Sequence, residues 1–215
     1  MQAGDVASAA SLHCRVFPDY FLTHMGEGFL QRFYREFVGR PGNYGFVAIR
    51  QDRPIGAVIG TTNVGAFYSQ FYSHNLVAVT GTFLKRLGQD PYIRRNCLAK
   101  MGHIRHALAA AGRRLLGQTP AAAPATAPAW GSLLSIGVDP DFAGQGIAEE
   151  LVDRLCERLW QDGVDAVELT VRADNRRAIA FYVKTGWQRV EATDTTIQYL
   201  RPTHANHNAG SGQDV

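Results

Sequence analysis

The stretch that most constrains the fold runs from Ser132 to Val152 and reads SLLSIGVDPDFAGQGIAEELV. An apolar run of strand length passes through a turn containing Gly144 and Gly146 into an apolar pattern of helical period. A helix start exposes unpaired N–H groups and the positive end of the dipole, so glycine there lets a phosphate approach the backbone. The simpler alternative is close packing of the helix on the strand. The stretch matches neither a Walker loop nor a Rossmann fingerprint.

A second segment, Asp174 to Trp187, reads DNRRAIAFYVKTGW and predicts a capped helix after another strand. Asn175 and Tyr182 are seven residues apart, about two helical turns, so both side chains fall on the same helix face. They could therefore serve one ligand. A helix-capping asparagine and a buried tyrosine are the corresponding structural interpretations.

Together the two segments resemble the Gcn5-related N-acetyltransferase (GNAT) family. VDPDFAGQGIA, from Val138 to Ala148, is similar to the stretch with which that family cradles the coenzyme A pyrophosphate, and NRRAIAFYVKTGW is similar to its later Asn…Tyr…Gly motif. The resemblance covers Leu133 to about Val190. It implies a single α/β (α+β) domain in which helices flank a mixed central sheet.

The resemblance also implies a set of cofactor-binding residues. The splayed end of the central strand would pair with the pantetheine arm of acetyl-CoA through Ile136, Gly137 and Val138, and Gly137 suits a bulge there. The pyrophosphate would be held by backbone N–H groups of the following turn, formed by Gly144, Gln145, Gly146, Ile147 and Ala148. Asn175 would touch the coenzyme near the pantetheine.

For catalysis, the resemblance implies direct attack of an acceptor amine on the thioester of acetyl-CoA. Tyr182 would act as general acid on the leaving thiolate, and a strand N–H near Val138 would polarise the carbonyl. Neither a metal nor an enzyme nucleophile is expected, which agrees with the lack of a convincing His/Cys/Asp cluster in the sequence.

The chain departs from the family pattern at two positions. Ala143 stands where the family has Arg or Gln, so that cofactor contact is missing or comes from a basic residue elsewhere. Thr170 stands where some members place a glutamate general base. Glu168 and His24 are alternative bases, and a water chain or an already deprotonated acceptor amine is a further alternative.

A long insertion, 63–129, precedes the predicted central strand and is expected to be helical before it ends in a Pro/Ala linker. From Pro54 to Val138 the only acidic residue is Asp90. The basic residues that fall close together in this range are Lys85, Arg86, Arg94, Arg95, Lys100, Arg105, Arg113 and Arg114. This charge pattern suits an anionic acceptor or peripheral contact with a membrane surface, and the alternative is a helical pair with a solvated basic face.

The remaining patterns complete one domain, 1–202, followed by a disordered tail, 203–215. Two helices, beginning near Asp5 and Gly26, precede a hairpin that turns at QDRP. Hydrophobic residues make up 46% and charged residues 19% of the sequence, as in a globular protein with one core. No signal-peptide or membrane-spanning pattern is present, and three widely spaced cysteines indicate reduced thiols, so a cytoplasmic location is expected.

The leading functional hypothesis is N-acetylation of a small, anionic amine, such as a nucleotide-linked or polysaccharide-precursor amino sugar. A protein, peptide or amino-acid acceptor is the alternative within the enzyme class. A noncatalytic acyl-CoA-binding or interaction module is the alternative of another class, to which Ala143 and Thr170 lend some support. Nucleic-acid binding is not expected, because the basic insertion carries no recognised reader motif.

Overall fold

The computed structural model describes residues 1–96 and 130–204. The helices are α1 (Asp5–Val16), α2 (Phe21–His24), α3 (Glu27–Arg35), α4 (Val64–Gln89), α5 (Ile147–Gln161) and α6 (Arg176–Lys184). The strands are β1 (Asn43–Arg50), β2 (Arg53–Thr61), β3 (Trp130–Val138), β4 (Ala166–Arg172), β5 (Gln188–Ala192) and β6 (Thr196–Pro202). The predicted α/β fold with a mixed sheet is confirmed.

The six strands form one sheet in the order β1-β2-β3-β4-β6-β5. Only the β3–β4 pair is parallel, and the other neighbours are antiparallel. The predicted hairpin joins β1 to β2 through Gln51 and Asp52, which both have positive φ, as expected for a two-residue turn matched to strand twist. Arg50 and Arg53 flank this turn as a register pair.

Helices cover both faces of the sheet. On one face α5 buries Val152, Leu155 and Leu159 completely in a core cluster that also includes Val167 and Tyr182. On the other face α1, α3 and α4 build an aromatic-rich cluster, to which α4 contributes Phe67 and Phe71. These two aromatic residues of the insertion are therefore core residues.

The described part of the insertion is helical. α4 begins at a genuine cap, because the Asn63 side chain accepts a hydrogen bond from Ala66 N, and it kinks at Asn75. Residues 91–96 are helical as well. The predicted continuation of this second helix, the Pro/Ala linker and all but the first two residues of the predicted tail lie outside the described residues. No helix within the described ranges has the length and hydropathy needed to cross a membrane.

Two glycines of β2 allow α5 to lie close to the sheet. A Cβ at Gly56 would approach Leu151 and Ile147 to within 3.0 and 3.1 Å. A Cβ at Gly60 would come within 2.7 Å of Leu155 Cδ2 and 2.9 Å of Ser132 O, which are closer than van der Waals contact allows. The close helix-on-strand packing considered for the glycine-rich turn is thus provided by β2.

We expect Gly60→Ala to lower the free energy of unfolding by about 1–3 kcal/mol, since the added methyl overpacks the β2–α5 contact. Gly81→Ala is the matched control, because Gly81 lies in exposed helix and a Cβ there meets no described atom within 4 Å. This control should raise the free energy of unfolding by about 0.5–1 kcal/mol through helix propensity. Denaturant titration measures both changes, and a stabilising Gly60→Ala would contradict the packing described.

Candidate active site

The central strands β3 and β4 separate along their length. Their parallel pairing comprises Trp130–Ala166, Gly131–Val167 and Ser132–Glu168, although both strands continue beyond Ser132 and Glu168. Past this point β3 stays paired with β2 and β4 stays paired with β6. The facing edges of β3 and β4 therefore form a V-shaped slot of backbone groups that an extended ligand can enter as an added strand.

The predicted residues Ile136, Gly137 and Val138 lie on this open part of β3. The bulge does not lie at Gly137: the β2–β3 register shifts opposite Leu133 and Ser135 instead. Gly137 has a different reason to be glycine. A Cβ there would lie 2.9 Å from side-chain carbons of both Phe17 and Val16, so its absence lets the end of α1 pack directly on the slot.

The turn after β3 presents bare backbone to its surroundings. Gly144 and Gly146 have φ of +77° and +78°, a region that side chains disfavour, and a Cβ at either position meets no described atom within 4 Å. Close packing does not explain these two glycines, because the space above them is open. Glycine is required at these positions by the left-handed backbone conformation. Because glycine has no side chain, the backbone of the turn stays exposed.

This turn leads directly into α5, whose first helical hydrogen bond runs from Glu150 N to Gly146 O at 3.0 Å. Among the hydrogen bonds formed within the described residues, none is donated by the backbone N–H groups of 144–149. A 15-residue helix thus begins with free donors and the positive end of its dipole beside the slot. The predicted residues Gln145, Ile147 and Ala148 lie in this donor-rich segment. Such an arrangement suits a phosphate or pyrophosphate group.

A basic side chain reaches this turn from the β1–β2 hairpin. Arg50 Nη1 donates to Gln145 Oε1 at 3.1 Å, and the guanidinium carbon lies 5.7 Å from the centre of the Phe142 ring. Ala143 itself is exposed and carries no polar group. Arg50 therefore places a cation beside the turn in which Ala143 stands where the family pattern has Arg or Gln.

The turn is anchored at its start by Asp139, which is buried. Its carboxylate accepts a hydrogen bond from Arg53 at 2.7 Å and lies 3.5 Å from Arg15. Burial pushes the pKa of Asp139 upward, but the hydrogen bonds from Asp141 N–H and Arg53 outweigh it, so the pKa is lowered. The anionic Asp139 thus ties the hairpin and α1 to the end of β3.

Asn175 caps α6 and also reaches a residue that the sequence did not single out. Its Oδ1 accepts from Ala178 N at 3.1 Å, which is the capping interpretation, and its Nδ2 donates to the Tyr20 hydroxyl at 3.0 Å. Tyr20 belongs to the segment between α1 and α2. Its ring packs against the Phe17 ring, with the centroids 5.2 Å apart. Both the N-terminal helices and α6 therefore border the slot.

Tyr182 lies two turns along α6 and is 6% exposed. Its ring packs between Trp187 and Tyr199, at centroid distances of 5.5 and 5.7 Å. Burial, followed by the nearby Tyr20 phenol, raises the pKa of Tyr182. No hydrogen bond between described residues uses its hydroxyl, so the phenol is held protonated and free to donate.

The alternative carboxylate base is engaged in structural hydrogen bonds. Glu168 Oε1 accepts from Ser132 Oγ at 3.1 Å, and Glu168 Oε2 accepts from Gln198 Nε2 at 2.9 Å. These bonds lie at the last paired step of β3 and β4, where the slot begins. Thr170 is exposed further along the same strand. Glu168 thus joins three strands at the base of the slot.

Sequence reasoning missed Tyr20 and Arg50 as members of this site. Each is joined to it by a contact between distant segments, Tyr20 to Asn175 and Arg50 to Gln145. No local pattern distinguishes either residue from an ordinary surface side chain. Among the described residues, no group of three or more His, Cys, Asp or Glu side chains is placed to hold a metal ion.

Comparison with known proteins agrees with this geometry. Residues 84–187 match the model of the acetyltransferase (GNAT) family. The chain is 33% identical over 78 residues to a mycothiol acetyltransferase of Propionibacterium freudenreichii, covering 36% of this chain and 25% of that protein. It is 42% identical over 62 residues to the ribosomal protein bS18-alanine N-acetyltransferase of Escherichia coli, covering 29% and 40%. The aligned segments thus span less than half the length of these relatives.

The fold extends the likeness over most of the chain. The PaiA N-acetyltransferase of Thermoplasma acidophilum, solved in complex with coenzyme A, superposes with a TM-score of 0.57 at 8% identity and covers 94% of this chain and 95% of that one. The shared architecture shows the same fold. The match over residues 84–187 shows that this chain belongs to the acetyltransferase (GNAT) family.

Proposed function

We propose that the chain is an acetyl-CoA-dependent N-acetyltransferase that acts on the primary amine of a small, anionic molecule. The proposal rests on one observation: the open slot between β3 and β4 lies next to the exposed glycine turn at the start of α5. An extended arm that ends in a pyrophosphate is the ligand chemistry that such a combination would take. The family to which the chain belongs supports the same conclusion.

The residues present fit acetyl-CoA, which would supply the thioester. Backbone groups of Ile136, Gly137 and Val138 would hold the pantetheine arm, and the N–H groups of 144–148 would hold the pyrophosphate. The open space above Gly144 and Gly146 supports this assignment, because a side chain there would fill the cradle. Asn175 would touch the coenzyme at the mouth of the slot.

The protein's chemical contribution would be alignment and proton transfer. Tyr182 Oη would donate its proton to the departing sulfur, a role that suits a phenol whose burial keeps it protonated at neutral pH. A β3 N–H near Val138 would stabilise the developing oxyanion. Holding both reactants in line would supply much of the remaining rate enhancement.

A small anionic acceptor is supported by the cations near the slot. Arg176 and Arg177 begin α6 beside Asn175, whereas Arg172, which ends β4, is paired with Asp174. A protein amino terminus is the second candidate acceptor, which the 42% identity to a ribosomal protein bS18-alanine N-acetyltransferase favours. The similarity to mycothiol acetyltransferases favours a small molecule.

The test is a thiol-release assay with acetyl-CoA and a panel of amines. The panel contains a nucleotide-linked amino sugar, glucosamine 6-phosphate, spermidine, free amino acids and a peptide with amino-terminal alanine. Turnover highest on a phosphorylated amino sugar would support the proposal, and turnover on the peptide alone would establish the second candidate. Calorimetric binding of acetyl-CoA without turnover on any amine would instead establish a noncatalytic acyl-CoA-binding module.

We expect Arg50→Ala to weaken coenzyme A binding about tenfold, since a charge-assisted hydrogen bond contributes about 1.5 kcal/mol and 1.4 kcal/mol is a factor of ten. Arg50 would contact the pyrophosphate together with Gln145. It would replace the Arg or Gln side chain that the family has at the position of Ala143. Isothermal titration calorimetry measures the dissociation constant. Arg189→Ala is the control, because Arg189 is exposed on β5, at the opposite edge of the sheet. Equal affinity in both variants would exclude this role for Arg50.

A further inference from the structure

A histidine–carboxylate pair joins α2 to the insertion. His24 Nδ1 lies 2.8 Å from Asp90 Oδ2, and the other oxygen of Asp90 accepts from Tyr92 N at 2.8 Å. The imidazole stacks on the Tyr92 ring with centroids 4.0 Å apart and planes 5° from parallel. One hydrogen bond and one stacked face therefore fix the orientation of the His24 ring.

The direction of this hydrogen bond follows from the charge of the carboxyl group. The hydrogen bond from His24 is the main reason that the pKa of Asp90 is lowered, so Asp90 is an anion that accepts. Nδ1 of His24 then carries the hydrogen, and Nε2 of a neutral ring carries the free lone pair. Among the hydrogen bonds of the described residues none uses His24 Nε2, and the side chain is 24% exposed.

The pair lies on the segment that borders the slot. His24 is one helical turn from Tyr20, since His24 N donates to Tyr20 O at 3.2 Å. Tyr20 in turn accepts from Asn175 Nδ2, and its phenol is close enough to Tyr182 to contribute to the raised pKa of that residue. Tyr20 therefore connects the proposed proton donor with the turn that carries His24.

We propose that His24 is the general base for the acceptor amine and that Asp90 is the residue that positions it. The inference rests on the proposed acetyltransferase function and assigns the base that Thr170 cannot supply. As the amine nitrogen bonds to the acetyl carbonyl carbon and the C–S bond breaks, the proton of the nitrogen passes to His24 Nε2. The Tyr182 Oη proton passes to the sulfur, which balances the transfer.

Several charged or titratable groups surround the pair and belong to its pH dependence. Asp90 and Tyr92 face the ring from the insertion, and Tyr20 lies on the preceding turn. The Arg86 guanidinium of α4 lies beside Gly26, two residues after His24, where it occupies the space that a Cβ at Gly26 would need. Arg172 of β4 is near both Tyr20 and Tyr92, whose phenols contribute to its raised pKa after its hydrogen bond to Asp174.

The test compares His24→Asn and Asp90→Asn with the wild-type chain in the thiol-release assay, using the amine of the panel with the highest turnover. The asparagine amide can still donate to Asp90, as Nδ1 does, but it has no group at Nε2. We expect His24→Asn to lower kcat about 10²-fold and to abolish the acidic limb of the kcat–pH profile, with unchanged coenzyme A affinity. Asp90→Asn should lower kcat less, because the ring keeps Nε2 but loses the carboxylate that accepts from Nδ1 and orients it.

His74→Asn is the matched control, because His74 is exposed on α4. It should leave kcat and the pH profile as they are in the wild-type chain. A His24→Asn chain with wild-type kcat and an intact acidic limb would overturn the proposal, and so would one that loses coenzyme A binding, which would indicate a structural role. Absence of wild-type turnover on every amine, with coenzyme A bound, would overturn the proposed function and with it the role of His24.

Discussion

We expect Tyr182→Phe to lower kcat by about 10²–10⁴-fold, the range that general acid catalysis contributes, while the affinity for coenzyme A stays unchanged. The substitution removes the phenolic proton and keeps the ring, which is what packs against Trp187 and Tyr199. The departing thiolate would then lack its donor. Steady-state thiol release measures kcat, and calorimetry measures the affinity.

Tyr199→Phe is the matched control for this prediction. Tyr199 is 2% exposed and belongs to the same aromatic cluster, so removal of its hydroxyl tests whether loss of any phenol in this cluster lowers activity. We expect kcat of Tyr199→Phe to stay within a few-fold of the wild-type value. Comparable losses in both variants, or full activity in Tyr182→Phe, would remove Tyr182 from the mechanism.

The second large effect concerns the dependence of stability on pH and a buried histidine of α1. His13 is 5% exposed, its Nδ1 lies 2.9 Å from the Tyr34 hydroxyl, and its Nε2 is buried without a partner among the described residues. Burial lowers the pKa of His13 from 6.5 to about 4. The folded chain therefore binds this proton less readily than the unfolded chain does.

Between pH 6.5 and about 4 the unfolded chain binds more protons at His13 than the folded chain does. By linkage, the free energy of unfolding therefore decreases as the pH falls through this range. Stability should be unaffected by His13 above pH 6.5 and should fall as the pH is lowered through this window. At pH 4 the loss attributable to His13 should be about 3 kcal/mol, since one pKa unit corresponds to 1.36 kcal/mol. Chemical denaturation at a series of pH values measures it.

His13→Asn isolates this contribution from other titrating groups. Its amide can still pair with the Tyr34 hydroxyl and does not titrate in this range. The difference in free energy of unfolding between the two chains should therefore change by about 3 kcal/mol between pH 7 and pH 4. A difference that is constant over this range would show that His13 takes up its proton in the folded state as easily as in the unfolded one.

Local patterns predict much of the fold, including the strand, turn and helix that carry the candidate site. The strand at 130–138, the glycine turn and the helix after it follow one another in sequence, and each is set by neighbouring residues: apolar runs, positive φ at Gly144 and Gly146, and helical periodicity. The cap at Asn175 is likewise a three-residue interaction. Such features are visible in a single sequence because their causes lie within one or two turns of chain.

Other parts of the site depend on contacts that no local pattern encodes. The bulge lies opposite the junction of Ile59 and Gly60 and not at Gly137, because its position is a property of two strands. His24 and Asp90 are 66 residues apart, and their pairing depends on how α2 meets the insertion. The sequence marks Asp90 as an isolated acid in a basic stretch and His24 as an alternative base, but no local pattern joins the two.

The slot between β3 and β4 bears on how tightly a ligand can bind. β4 is paired with β6 along its whole length, from Ala166 to Arg172, and β3 is paired with β2 as far as Val138, so both strands are held by their outer neighbours. Beyond Ser132 and Glu168 no register pair joins the two edges that face the slot. A ligand that adds to these edges breaks no ladder hydrogen bond of the folded protein. Binding therefore requires no rearrangement of β3 and β4, and no free energy of rearrangement reduces the affinity of the cofactor. The folded chain already has the geometry that binds it.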